Sequence, residues 1–129
     1  MTLFADRYAL GPLIGAGGMA EVHEAVDTRL DRPVAIKLLR RDLAHDVVVR
    51  SRFETEARLA ARLIHPNVVA VFDSGDESGR PYIVMERLPG GTLAELVVRG
   101  PLPEADARQL ADEILAAVGS AHAAGILHR

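Results

Sequence analysis

Between Tyr8 and Val26 a strand-like stretch is broken once, by Ile14-Gly15-Ala16-Gly17-Gly18-Met19-Ala20-Glu21-Val22. Beyond the glycines, Val22, Glu24 and Val26 alternate with Glu21, His23 and Ala25, as residues on opposite faces of a pleated strand do. The glycines therefore join two strands. Glycine at 15 and 17 lets the backbone approach a ligand and turn its amide N–H groups inward, which suits a phosphate. A bare glycine-rich hairpin turn has the same composition.

Composition narrows the field. The chain has 129 residues, room for one domain or two small lobes. Its formal charge is −3, with 15 cations spread among 18 acids, so there is no basic stripe to follow a nucleic-acid backbone. Cysteine is absent, which removes disulfides, thiolate zinc sites and a cysteine nucleophile together. No apolar run reaches the length of a membrane span, and Met1 to Arg7 lacks the pattern of an export signal. The sequence reads as cytoplasmic, with neither nucleic acid nor membrane as a partner.

Further along, Val34 to Leu39 is a third short strand after the polar stretch Asp27 to Pro33. Val47 to Ile64 changes to helical spacing, with Phe53, Ala57, Ala60 and Leu63 on one side, and His65-Pro66-Asn67 ends it. Val68 to Phe72 and Tyr82 to Met85 are expected to be two more strands, joined by a loop over Asp73 to Pro81. After Leu88-Pro89-Gly90-Gly91, Thr92 caps a short helix. Pro103, Glu104 and Asp106 open a long one that Gly125 stops. The fold class expected is α+β, a five-stranded antiparallel sheet with one large helix and then further helices.

Of the 15 cations only Lys37 is lysine, and it lies in the apolar run Val34-Ala35-Ile36-Lys37-Leu38-Leu39. Lysine is a compact point charge, suited to meeting one oxygen where the arginine fork is not. From the next strand it reaches beneath the glycine loop, and an acid from the following helix is needed to orient it. Glu54 and Glu56 compete, about 200° apart on a helix, and Glu56 beside the buried Ala57 is better placed. Among nucleotide loops, a Walker loop requires Gly-Lys followed by Ser or Thr, which is missing. A dinucleotide loop opens a helix, and here a strand follows. The strand–loop–strand form of the protein kinases remains.

Gly15-x-Gly17, Val22, Val34-Ala35-Ile36-Lys37, Glu56, His65-Pro66-Asn67, Tyr82-Ile83-Val84-Met85-Glu86, Gly90-Gly91-Thr92-Leu93 and His128-Arg129 occur in one series. That series resembles a eukaryotic-like bacterial serine/threonine protein kinase over nearly the whole chain. The resemblance implies a sheet lobe over residues 1–88, the beginning of a helical lobe over 89–129, and ATP with Mg²⁺ between them. It implies that the loop Ile14, Gly15, Ala16, Gly17, Gly18, Met19, Ala20, Glu21 and Val22 covers the phosphates. Lys37 then meets them, and Glu56 orients Lys37. Val22 and Ala35 would line the adenine slot, Met85 would guard its back, and the Glu86 carbonyl and Leu88 N–H would read the base. Ala20 stands where the family's third glycine would be, which stiffens the loop.

In that family the His-Arg pair is followed by the aspartate that accepts the substrate's hydroxyl proton, and later by the metal ligands. The sequence ends at Arg129, so no metal ligand is assigned, and the chain is expected to be an N-terminal piece inactive by itself toward a protein serine or threonine. The alternatives are a non-catalytic kinase-like module that binds nucleotide or a partner helix, and a small-molecule phosphotransferase. None of the five histidines has another at i+4, so a histidine metal site is not expected. His23, His45 and His122 read as surface residues, His65 as part of the helix-ending loop, and His128 as structural.

Overall fold

The computed structural model describes residues 2–127. His128-Arg129, the end of the motif series, lies outside them. The elements in order are β1 (Tyr8–Ala16), β2 (Ala20–Asp27), β3 (Arg32–Leu39), α1 (Val47–Arg62), β4 (Val71–Glu77), β5 (Arg80–Glu86), α2 (Leu93–Val98) and α3 (Glu104–Ala123). The strands form one antiparallel sheet in the order β1-β2-β3-β5-β4, with α1 over β4 and β5. This is the α+β arrangement expected from the periodicity.

Alternation along the central strands divides the core in two. Val34, Ile36 and Leu38 of β3 join Tyr8, Ala25, Tyr82 and Val84 on one face, with Phe4 against them. On the other face Ala20, Leu39 and Ile83 meet Phe53 and Ala57 of α1. Lys37 falls on this second face, since side chains two apart along a strand share a side.

The helix ends follow from local chemistry. The Asp46 side chain accepts from the Val48 and Val49 N–H groups at the start of α1, and the helix stops at Arg62, ahead of His65-Pro66. The Thr92 hydroxyl accepts from Glu95 N at 3.1 Å, capping α2 as its position suggests. Past α3, Gly125 adopts φ 78°, and Ile126 N–H returns to the Ala121 carbonyl at 2.9 Å.

The expected loop over Asp73 to Pro81 is a correction. Only Ser78 and Gly79 form the turn, both at positive φ, while Asp73 to Glu77 pair with β5. Two-residue hairpins favour such left-handed turn residues. The Asp-Ser-Gly-Asp composition misleads because β4 is an edge strand held by backbone bonds. Gly75 also leaves the space in which the Tyr82 ring lies. Val68 to Ala70, conversely, precede the strand, which begins at Val71.

One polar knot has no sequence signature. Asp27, 1% exposed, accepts two hydrogen bonds from Arg7 (2.9 and 2.7 Å) and two more from the Arg29 and Leu30 N–H groups. It ties the start of β1 to the β2–β3 turn. The Arg7 hydrogen bonds hold its carboxyl well below the usual carboxylate range.

Candidate nucleotide site

Antiparallel pairing sets one row of residues across the whole sheet: Gly15 opposite Val22, Val22 opposite Lys37, Lys37 opposite Ile83, and Ile83 opposite Ser74. The next row is Glu24, Ala35, Met85 and Val71. Directly opposed side chains point to the same face, so Val22, Ala35, Lys37, Ile83 and Met85 share the face that carries α1. An apolar ceiling with one ammonium in it is the result.

Lys37 is half-buried between two apolar neighbours. Glu54 is turned to Arg50 of its own helix at 3.5 Å and lines a cavity of about 300 Å³ with Ser74 and Gly75 of β4. Glu56, some 200° around α1, therefore lies on the flank of the helix opposite Glu54. Its side chain is exposed, and no Lys37–Glu56 ion pair within 4.0 Å forms among the described residues. The structure puts the two on the same side of the sheet with the pair open.

In the glycine loop, Gly17 N–H closes the hairpin on the Ala20 carbonyl at 2.9 Å. A Cβ on Gly18 would meet nothing within 4 Å, so the loop tip borders open space. Ile14, Ala16 and Glu21 belong to the strand ends, with Ala16 paired to Glu21. Ala20 is buried against Leu39 and the α1 contacts, so its methyl belongs to the core, and Met19 packs partly against the same cluster. After β5, Glu86 N–H donates to the Ala70 carbonyl at 2.8 Å, and Leu88 is exposed.

This arrangement meets its relatives at one level above all. The protein kinase domain model matches residues 8–129. The chain belongs to the protein kinase family. It is 47% identical to the probable serine/threonine-protein kinase PknB of Bifidobacterium longum over 98% of its own length and 20% of that protein. It is 51% identical to the probable serine/threonine-protein kinase SCO3848 of Streptomyces coelicolor over 95% of its length and 19% of that protein. The crystal structure of the Mycobacterium tuberculosis PknI kinase domain is similar with TM-score 0.80 and 29% identity, over 99% of this chain and 52% of that one. The chain thus spans about a fifth of the curated kinases it matches. Its sheet and α1 are a kinase N-lobe, and it is similar to the eukaryotic-like bacterial serine/threonine kinases throughout.

Hydrogen bonds from Arg40, Asn67 and Arg87 brace the lobe, and of these residues only Asn67 belongs to a sequence motif. Arg40, just after the Lys37 strand, supports the glycine loop from its N–H to the Met19 carbonyl (3.0 Å) and from its guanidinium to the Gly18 carbonyl (3.2 Å). Asn67 donates to the Glu113 carbonyl of α3 at 3.1 Å, tying the loop after α1 to the later helices. Arg87 donates to Glu24 of β2 at 2.7 Å. His23, expected at the surface, is half-buried between the Gly11 carbonyl (3.2 Å) and Glu21 (3.4 Å), and its hydrogen bond lowers the Glu21 pKa. The described residues contain no group of three or more His, Asp or Glu placed to hold a metal ion. By themselves they offer no ready-made Mg²⁺ site. Among them, no helix is long and apolar enough to cross a membrane.

Proposed function

We propose that this chain is the nucleotide-binding portion of a serine/threonine protein kinase that transfers the ATP γ-phosphate to a protein hydroxyl. The supporting observation is the cross-sheet row that puts Lys37 on the same face as Val22, one residue row from Ala35 and Met85, under the glycine hairpin. In this reading residues 1–88 form the sheet lobe and 89–129 begin the helical lobe. Val22, Ala35 and Met85 enclose the adenine, the Glu86 carbonyl and Leu88 N–H read its edge, and residues 14 to 22 fold over the phosphates. Lys37 supplies the charge opposite the phosphate oxygens. Glu56 orients Lys37 once α1 rolls toward β3.

Transfer to a protein hydroxyl also needs a base to take the hydroxyl proton, a role that neither Lys37, Glu56 nor the loop residues 14 to 22 fill in this reading. A general base is typically worth about 10² to 10⁴ in rate. The test is thermal unfolding with and without ATP. At ATP ten times its dissociation constant, binding to the folded chain adds about 1.4 kcal/mol of stability. Wild type gains this increment and Lys37→Met loses most of it. Equal responses in the two remove Lys37 from the site, and no response in either overturns nucleotide binding. That last result would favour a non-catalytic, partner-binding kinase module.

A further inference from the structure

We propose that Glu24 and Arg87 form a clasp across the outer edge of the base slot and act as positioning residues for the nucleotide. The proposal rests on the nucleotide-binding reading above. Glu24 lies directly opposite Ala35, which lies directly opposite Met85, so the Glu24 side chain is on the ceiling face. Arg87 is two residues past Met85 and continues on that side. Its Nη2 donates to Glu24 Oε1 at 2.7 Å, and the bond therefore passes over β3 and joins the strand leaving the glycine loop to the segment leaving β5.

The position of Arg87 in the chain gives the clasp its consequence. It sits between the Glu86 carbonyl and the Leu88 N–H, the two groups assigned to the adenine edge. Little else holds the following segment: Leu88 is exposed, and Pro89-Gly90-Gly91 runs to the α2 cap with Gly90 at φ 90°. Anchoring the Arg87 side chain fixes the orientation of the peptide planes on either side of it. It also ties the separation of β2 from that segment to the width of the slot. Ala35, in neither apolar cluster, is nonetheless buried at this point.

Both partners are about a third exposed, so the effect belongs to the range of partly solvated ion pairs. The test uses the 129-residue chain with Arg87→Ala, Glu24→Gln and the exchanged pair Glu24→Arg/Arg87→Glu. Titration with a fluorescent ATP analogue reads affinity, and amide hydrogen exchange across residues 86–92 without nucleotide reads the clasp itself. Each single variant is expected to weaken nucleotide binding about two- to fivefold and to speed exchange in 86–92. The exchanged pair restores both, a rescue that a general loss of packing would not show. Wild-type binding with variants equally tight and equally protected overturns the clasp alone. Failure of the exchanged pair to rescue overturns it as well. Absence of any wild-type nucleotide binding overturns the site reading and this role with it.

Discussion

Gly75 in the middle of the edge strand offers a sharp test of how β4 is held. A Cβ placed there would lie 2.6 Å from the Tyr82 hydroxyl oxygen, 2.8 Å from Cζ and 3.0 Å from Cε1. Ordinary contact begins near 3.4 Å, so the ring must retreat by about 0.8 Å. Tyr82 is 9% exposed, and Phe4 packs edge-on against it with ring centroids 5.0 Å apart, which leaves the rigid ring little room. Overpacking of this kind costs about 1–3 kcal/mol, against a gain of about 0.4–1 kcal/mol from restricting the unfolded chain at a former glycine. Gly75→Ala should therefore destabilise by about 1–2 kcal/mol net. With an unfolding entropy of about 270 cal/mol/K for 129 residues, the midpoint falls by about 4–7 °C. Thermal unfolding followed by circular dichroism measures this directly. Tyr82→Phe in the Gly75→Ala background removes the nearest atom and should recover part of the loss. An unchanged or raised midpoint in Gly75→Ala would refute the close approach of ring and backbone.

Three further outcomes follow from other parts of the molecule. Asp27 has its folded pKa lowered by Arg7, so its ionised form stabilises the fold above the unfolded carboxyl pKa of about 3.9, and that stabilisation is lost as pH falls below it. Asp27→Asn should flatten the stability–pH curve below about pH 5 in urea melts, and a curve as steep as wild type would remove Asp27 from the acid response. Asp46→Ala strips the two side-chain bonds from the start of α1 and should cost about 1 kcal/mol, with faster amide exchange at Val48 and Val49. Helix α3 has no buried residue, and Ile114, Leu115 and Val118 are exposed along it. An uncovered apolar stripe promotes association, so Leu115→Glu should lower the sedimentation-average mass at high concentration. An unchanged mass would show that α3 is not the adhesive surface.

The parts of the fold that were legible in the sequence are those where burial imposes a period. Val34-x-Ile36-x-Leu38 and Phe53 with Ala57 announce a central strand and an amphipathic helix because each lies against the core. The second half of β4 was not legible, since Asp73-Ser74-Gly75-Asp76 is exposed and owes its conformation to backbone pairing with Val84, Ile83, Tyr82 and Pro81, whereas its start at Val71-Phe72 lies within the expected strand. The same division holds at the site. Lys37 could be singled out because an ammonium breaks an apolar run. Glu24, Arg40 and Arg87 could not, because their partners are chosen by strand register, which places residues 24 and 87 together across 63 positions of chain.

The open Lys37–Glu56 pair follows from the same hierarchy of energies. A partly exposed ion pair contributes about 0–1 kcal/mol, whereas burying a side chain such as Phe53 contributes about 1.5–3 kcal/mol. Phe53 and Ala57 pack with Ile83 and Leu39, and Arg50 fastens the same helix to the Gly79 carbonyl at 2.7 Å and to Asp76 of the β4–β5 hairpin. Those contacts decide where α1 rests, and Glu56 goes where the helix takes it. Attraction between residues 37 and 56 alone is too small to shift α1 against them. Closing the pair requires added packing that outweighs these contacts and draws α1 closer to Lys37.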